Sequence, residues 1–172
     1  MPTPRIPTSQ PTQIYFITPT VRRWYYLFDR HDRWRIIADS LRYCRQHKEL
    51  KLFGYVFMMN HLHLLIQSPD AISFLRDFKR HTARAIFDNI RQTEPKLENF
   101  FLTEKGESEL WLNSNMPEPV EQEAFLRQKL DYIHNNPVRK QYVREAKDWY
   151  WSSALYYETG RPEPMEIDPI EI

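Results

Sequence analysis

An apolar run from residue 51 to residue 67, KLFGYVFMMNHLHLLIQ, most constrains what this chain can fold into. It predicts two strands that meet near Asn60. Because successive side chains of a strand point to opposite faces, His61 and His63 share one face while Leu62 points to the other. Two neutral imidazoles side by side form half of a site for a divalent ion, which needs at least a third protein ligand. The alternative is a pair of partly buried histidines bonded to backbone.

The segments around this run alternate between strand and helix patterns. The β-branched and aromatic residues at 14–18 predict a first strand, which forms a hairpin with 24–28. Apolar residues recur at helical spacing over 32–48 and again over 71–90, so both segments are predicted to be amphipathic helices.

The chain after residue 93 is harder to assign. Residues 93–118 are predicted to be irregular, apart from a strand near ELWLN at 109–113. A third helix is predicted over about 119–135. It ends before Pro137, because a residue that precedes proline disfavours the α region.

The order of these elements defines a fold class. Strand, helix, strand, strand, helix, strand is the ferredoxin-like split βαβ arrangement, an α+β fold. It places two helices on one face of an antiparallel sheet, and here a C-terminal helix that carries Tyr132 is added. The second face of the sheet is expected to be open, which makes it the place for a functional site.

Length and composition predict one compact domain with loose ends. A chain of 172 residues with 41% hydrophobic and 15% aromatic residues can bury a core. We expect a disordered lead-in at 1–12, the domain at 13–158 and an acidic, Pro-rich, disordered tail at 159–172. The single Cys44 excludes an intramolecular disulfide framework. With no run of about 18 apolar residues, we expect a cytoplasmic protein that does not bind membranes.

The net charge of +1 is unevenly distributed. Residues 153–172 carry five acids and one base, which leaves an excess of +5 on the rest of the chain. That excess permits a polyanionic partner without requiring one, and a basic helix face is often simply solvated. The candidate phosphate contacts are the stripe on the second helix and four further bases: Arg76, Lys79, Arg80, Arg84, Arg22, Arg23, Arg139 and Lys140.

A second informative stretch is LDYIHNNPVRK, residues 130–140. Tyr132 and Asn136 are four residues apart and therefore share one helix face, while His134 is turned roughly 200° away from Tyr132. If the shared face looks toward the sheet, Tyr132 approaches the histidine pair and Asn136 offers an oxygen. Otherwise Tyr132 is a core aromatic residue and NNP ends the helix.

Together these stretches resemble a known family. HLH matches the His-hydrophobic-His motif of the HUH endonucleases. YVFMMNHLHLL, YIHNNPVRK and DWYWSSALYY, in this order, are similar to the REP-associated tyrosine transposases, bacterial proteins with a single catalytic tyrosine. The resemblance covers roughly residues 14–158. DWYWSSALYY itself is predicted to pack and to fix the C-terminal region.

The resemblance implies a specific chemistry. His61, His63 and a third polar ligand would hold Mg²⁺ or Mn²⁺ at the scissile phosphate of single-stranded DNA. Tyr132 would attack phosphorus to give a 5′-phosphotyrosine and a free 3′-OH. The implied substrate is a hairpin-forming repeat with an adjacent single strand, and the implied process is DNA transposition or repeat mobilisation.

One position departs from the family pattern. Related single-tyrosine transposases carry a glutamine four residues after the tyrosine as a metal ligand, whereas this chain has the shorter Asn136. Either the helix lies closer, or a water bridges, or His134 or another side chain is the third ligand. The protein acts as a monomer or as a homodimer. Two rival functions are a catalytically inactive DNA-binding protein and a phosphodiesterase that uses water.

Overall fold

The computed structural model describes residues 9–170 of the chain. Its strands and longer helices are β1 Ile14–Ile17, α1 Arg33–His47, β2 Lys51–Phe57, β3 Leu62–Gln67, α2 Ala71–Thr93, β4 Glu118–Val120, α3 Glu123–Arg139 and α4 Ala154–Thr159. Short 3₁₀ turns occupy Arg22–Trp24, Pro95–Phe101 and Ala146–Asp148. The strands pair antiparallel in the order β2-β3-β1-β4. The predicted split βαβ fold is confirmed.

Helices α1 and α2 cover one face of this sheet. Their apolar stripes pack on one face of β1, β2 and β3, and the Asp70 carboxylate caps α2 by accepting the N–H groups of Ile72 and Ser73. Arg33, at the start of α1, is fully buried and donates to Glu94 at 2.6 Å, just beyond the end of α2. This ion pair, between a buried arginine and a partly exposed glutamate, connects the two helices.

The second face of the sheet is covered by α3, so the expectation of an open face is wrong. Leu126, Leu130 and Ile133 of α3 pack on Val56 and Leu65 of the sheet. The reason is visible in the apolar run itself: β2 and β3 are buried on both faces, and a strand that is apolar on both sides needs cover on both.

Gly54 allows α3 to approach the sheet closely. A Cβ atom at this position would lie 2.7 Å from Cδ2 of Leu130 and 3.2 Å from Cδ1 of Ile133. No larger residue fits without moving the helix or its leucine. The absence of a side chain at Gly54 therefore sets the distance between α3 and β2.

Two predicted strands are wrong. Residues 24–28 do not pair with β1; instead the N–H groups of Leu27 and Phe28 donate to the carbonyl of Met59. Around 109–113 only a single bridge forms, between Trp111 and Val21. Leu27, Phe28, Leu110 and Trp111 are buried in the core without extending the sheet, whereas Trp24 and Tyr26 are exposed.

The third helix begins and ends later than predicted. The first residues predicted for this helix form β4 instead. Because β4 is an edge strand, it can contain Pro119 although proline has no N–H group to donate to a neighbouring strand. At the other end, α3 continues through Pro137 to Arg139. Only the last half-turn follows the proline, and Lys140 N–H still donates to the carbonyl of Asn136.

The C-terminal part of the chain covers the outer edge of β2. Ser153 accepts from the N–H of Tyr55 with its Oγ and donates its own N–H to the carbonyl of Tyr55, both at 2.9 Å. The N–H of Phe57 donates to the carbonyl of Trp151 at 2.8 Å. The prediction that DWYWSSALYY packs and fixes this region is confirmed.

The acidic tail is ordered over the described residues, so the expectation of disorder is wrong for 160–170. Met165 and Ile167 are buried in the core, and Arg45 pairs with Asp168 at 3.2 Å. At the other end of the chain, Ser9 donates to Asp70; residues 1–8 and 171–172 lie outside the described part. The domain limits at 12 and 158 stay a prediction. No helix among residues 9–170 is long and apolar enough to cross a membrane.

Replacing Gly54 tests the close helix contact. We expect Gly54→Val to lower the free energy of unfolding by about 1–3 kcal/mol, because the added methyl groups overpack the contact with Leu130. Urea unfolding followed by circular dichroism measures the change. The double variant Gly54→Val/Leu130→Ala should lose less than the sum of the two single variants, because the alanine makes room for the valine. Additive losses would contradict the contact.

Candidate active site

Two histidines lie at the start of β3, on the face that α3 covers. His61 bridges to Thr20, and His63 follows inside the strand. Their ring centroids are 4.8 Å apart, while Leu62 points into the core on the opposite side. The predicted alternation of the HLH stretch is confirmed.

Hydrogen bonds at Nδ1 orient both rings. Asn60 Oδ1 lies 2.7 Å from Nδ1 of His61 and, as a carbonyl oxygen, can only accept, so His61 donates there. Thr18 Oγ1 lies 2.9 Å from Nδ1 of His63. With Nδ1 engaged, the Nε2 lone pair of each ring is available to a ligand, as in metal sites where a neighbouring acceptor fixes the tautomer. Asn60 thus orients a histidine.

Both rings are held in the neutral form. Burial lowers the pKa of His61 to about 4, and Lys140 adds to the effect. Burial is also the largest cause that lowers the pKa of His63 to about 3. Electrostatic effects of its neighbours His61, Lys129 and Arg139 act in the same direction. A neutral imidazole is the form that binds a metal ion.

Tyr132 lies beside this pair. Its ring centroid is 5.2 Å from that of His63 and 6.2 Å, edge-on, from that of Phe16. The guanidinium of Arg139 lies 4.4 Å from the ring centroid and donates to the Tyr132 carbonyl. Because Tyr132 is 40% exposed, the interpretation as a core aromatic residue is wrong. A molecule in solution can reach its phenol.

Asn136 lies one helical turn later and contacts the same histidine. It is buried, and its Nδ2 is 3.1 Å from Nε2 of His63. Two ligand atoms at right angles, each about 2.1 Å from an octahedral ion, are about 3.0 Å apart. A 180° rotation of the amide places its oxygen at the position of the nitrogen. The separation therefore fits neighbouring ligands of one ion.

The donor atoms at this site, two imidazole nitrogens and one amide oxygen, are compatible with an octahedral divalent ion. Among residues 9–170, no group of three His, Cys, Asp or Glu side chains could hold a metal. A metal ion held here would therefore need the amide oxygen of Asn136 beside the two imidazoles, with water or phosphate oxygens as further ligands. The close approach of α3 at Gly54 explains how the short side chain of Asn136 reaches His63.

His134 is directed away from this site, which excludes it as the third ligand in this conformation. Its Nε2 lies 2.8 Å from Oγ of Ser153, and burial lowers its pKa to about 4. The sequence spacing gave no hint of this Ser–His pair. Because Ser153 is 1% exposed and its Oγ accepts the N–H of Tyr55, the pair holds α3 to the C-terminal segment and is not a nucleophile.

Cations surround the exposed side of the site. Arg139 and Lys140, both predicted phosphate contacts, follow Tyr132 along the chain and act on the histidines electrostatically. Sequence reasoning missed Lys129, whose Nζ lies 4.2 Å from the ring centroid of Phe16. Its position three residues before Tyr132, on the same helix face, is the signal that would have found it.

The other predicted bases do not join this cluster. Arg22 pairs with Glu109 at 2.6 Å, and Arg23 lies over the ring of Phe100. The α2 stripe belongs to the opposite face of the sheet. Its exposed members are Arg76, Arg80 and Arg84, of which the first two flank Asp77, whereas Lys79 donates to the carbonyl of Leu112.

The buried histidines predict a loss of stability in acid. His61, His63 and His134 stay neutral in the fold but take up protons near pH 6.5 when unfolded. The contribution of these neutral histidines to the free energy of unfolding is therefore fully present above pH 6.5, and it decreases as the pH falls toward 4. At pH 5.5, each of the three histidines should lower the free energy of unfolding by about 1.4 kcal/mol.

Urea unfolding with chelator present, from pH 7.5 to 4.5, measures this dependence. In the variant His134→Gln, the slope of the unfolding free energy against pH should be smaller by about one third, because one of the three titrating histidines is removed. An unfolding free energy that stays constant between pH 7 and pH 5 would show that these histidines are not held neutral.

The sequence and the fold of this chain are similar to those of known proteins. No family model matches the chain. A curated protein of Haemophilus influenzae named "Putative REP-associated tyrosine transposase" is 26% identical over 149 residues, covering 81% of this chain and 78% of that protein. A solved REP-associated tyrosine transposase bound to a REP hairpin has the same fold, with a TM-score of 0.68, 17% identity and coverage of 100% of this chain and 95% of the other. The resemblance predicted from the motifs is therefore confirmed: this chain is similar in sequence to one REP-associated tyrosine transposase and in fold to another.

Proposed function

We propose that this protein is a transposase-type enzyme that cuts and rejoins single-stranded DNA, with Tyr132 as its nucleophile. One observation carries the proposal: an exposed tyrosine lies 5.2 Å, centroid to centroid, from a buried neutral histidine whose partner histidine is 4.8 Å further on. The names of the related proteins support a DNA-processing role, and the hairpin bound by the solved relative supports hairpin-forming repeats as the substrate.

His61, His63 and Asn136 would hold a divalent cation, Mg²⁺ or Mn²⁺. Support comes from the orientation of the two imidazoles and from the 3.1 Å separation between the Asn136 amide and His63. When bound, such an ion polarises the scissile phosphate and offsets the charge that develops on its oxygens. Asn60 and Thr18 keep the rings aimed at it.

The chemical step is an in-line displacement at phosphorus. The phenolic oxygen of Tyr132 attacks and becomes linked to the 5′ phosphate of the downstream fragment, while the bond between phosphorus and the 3′ oxygen of the upstream fragment breaks. The phenol gives up its proton to solvent, and the departing 3′ oxygen takes one up. The covalent link preserves the phosphodiester, so attack by a 3′-OH reverses the step and joins strands.

Cations place the strand at this nucleophile. Arg139 contacts the ring of Tyr132 and Lys140 follows it at the end of α3, so that both can neutralise phosphates next to the scissile one, whereas Lys129 is paired with Glu118 at 2.9 Å. The bases outside the cluster are candidates for contacts farther along a hairpin: Arg22, Arg23, Arg76, Lys79, Arg80 and Arg84.

A monomer is sufficient for this arrangement. Tyr132 is adjacent to His63 of its own chain, and α3 packs on its own sheet. We therefore propose that the tyrosine acts on DNA held at the histidines of the same subunit. A homodimer is not needed to complete the site.

Removal of the phenolic oxygen tests the nucleophile. We expect wild type with Mn²⁺ or Mg²⁺ and labelled single-stranded repeat DNA to give a covalent adduct on a denaturing gel, and Tyr132→Phe to give none. Phenylalanine keeps the ring contacts with Phe16 and Arg139, so the fold should persist. The variant Tyr43→Phe, which alters an exposed tyrosine on α1, should behave as wild type.

The same gel separates the rival functions. Metal-dependent cutting that survives Tyr132→Phe would mean that water is the nucleophile and that the protein is a phosphodiesterase. Tight binding with neither cutting nor adduct, across several repeat sequences, would identify a DNA-binding protein without catalysis.

Metal binding is tested without catalysis. We expect Asn136→Leu to weaken Mn²⁺ binding at least tenfold, measured by calorimetry, because an oxygen ligand is replaced by a methyl group. Asn135→Leu is the matched control, since the side chain of Asn135 is exposed and donates to the carbonyl of Asp131. Equal Mn²⁺ affinity of the Asn136 variant and wild type would exclude Asn136 as a ligand.

A further inference from the structure

Trp24 is a large apolar side chain placed in water next to the histidine site. Its side chain is 61% exposed, although its backbone is firmly held. The N–H of Trp24 donates to the carbonyl of Val21 at 3.0 Å, and its carbonyl accepts from Nδ2 of Asn60 at 2.9 Å. The same Asn60 accepts from Nδ1 of His61. One amide side chain thus connects Trp24 to the proposed metal ligand.

The backbone at this position is strained. Arg23 and Trp24 have φ angles of 59° and 56°, the left-handed region that a bulky L-residue adopts only at a cost in free energy. Strain of this kind persists where the surrounding structure imposes it and is concentrated at functional sites. A glycine would adopt this conformation without strain.

Packing does not explain a tryptophan here. Among the described residues, Trp24 takes part in none of the aromatic ring contacts that connect the other four tryptophans to the core or to each other. Arg23, its neighbour, directs its guanidinium over Phe100 instead. An indole that buries little surface in a strained conformation contributes little to stability.

The surroundings of Trp24 suit an unpaired nucleic-acid strand. Tyr26, two residues on, is 49% exposed, and its hydroxyl lies 3.3 Å from that of Tyr142, just beyond the end of α3. Lys140, at the end of α3 and two residues before Tyr142, is close enough to His61 to lower its pKa. Exposed rings beside cations are the elements with which proteins bind single strands: the rings stack on bases and the cations hold phosphates.

We propose that the indole of Trp24 stacks on an unpaired base next to the scissile phosphate and so positions the single strand at the histidines. The proposal deepens the proposed function and rests on it. Trp24 would act as a binding subsite for a nucleobase of any type, because every base offers a flat π-face. The link through Asn60 means that the subsite and His61 keep a fixed separation.

Binding of short DNA tests the subsite separately from catalysis. The probe is a labelled oligonucleotide of about ten thymidines in the presence of chelator, and fluorescence anisotropy gives its affinity. Trp24→Ala should weaken binding about 5- to 150-fold, the effect of losing one stacked base. Trp24→Phe should recover most of the affinity. Tyr43→Ala, which removes a similarly exposed ring from α1 on the opposite face, should leave it unchanged.

An abasic probe identifies the contact as stacking. With one base removed at each position in turn, wild type should lose affinity at one position by about the same factor as Trp24→Ala. At that position the two changes should not add, because they remove the same contact.

A stability measurement separates a binding role from a structural one. Trp24→Gly removes the indole and relieves the positive φ, so its urea midpoint should equal or exceed that of wild type and exceed that of Trp24→Ala. Its DNA affinity should fall as that of Trp24→Ala does. A urea midpoint for Trp24→Gly clearly below that of wild type would indicate that the indole serves the fold, and would overturn the proposal.

The outcomes distinguish this proposal from the function on which it rests. Equal DNA affinity of wild type and Trp24→Ala would overturn the subsite, while a covalent adduct lost in Tyr132→Phe would leave the proposed enzyme intact. A wild-type protein that binds no DNA and forms no adduct would overturn both.

Discussion

The contact between α3 and β2 at Gly54 is the constraint on which the site depends. The histidines belong to the sheet, whereas Tyr132 and Asn136 belong to the helix, and no covalent connection shorter than the chain between residues 63 and 132 joins them. The separation of the two groups is therefore set by noncovalent contacts: the packing at Gly54 and the hydrogen bonds that connect His134 of α3 through Ser153 to Tyr55 of β2. Because side-chain reach is limited to a few ångströms, a helix displaced by one methyl group would move the Asn136 amide out of contact with His63.

Burial and exposure are divided sharply across this small site. The imidazoles lie under α3, where desolvation keeps them uncharged, and the phenol lies at the rim, where a strand can reach it. Cations at the rim add to the field that disfavours histidinium and at the same time attract phosphate. One set of positive charges thus has two effects: it disfavours the charged form of the histidines, and it would concentrate the proposed DNA substrate.

Local periodicity determined what the sequence could predict. The two-residue period of β3 put His61 and His63 on one face, and the four-residue spacing put Tyr132 and Asn136 on another. The features that were missed depend on contacts between distant parts of the chain. Burial of the tail by Met165 and Ile167, and the pairing of His134 with Ser153, follow from tertiary packing that no local pattern records.

The coverage of β2 by residues 149–168 has a consequence for the order in which the molecule is built. These residues satisfy the outer edge of a strand that is synthesised about a hundred residues earlier. During translation β2 and β3 can pair early, but the edge stays open until the last part of the chain has left the ribosome. Tyr132 on α3, the proposed nucleophile, is also made late. A shortened chain that ends before residue 149 therefore keeps its histidines but exposes the unpaired N–H and C=O groups of β2. Such an edge strand can pair with other chains, so we expect the shortened chain to aggregate or to be degraded.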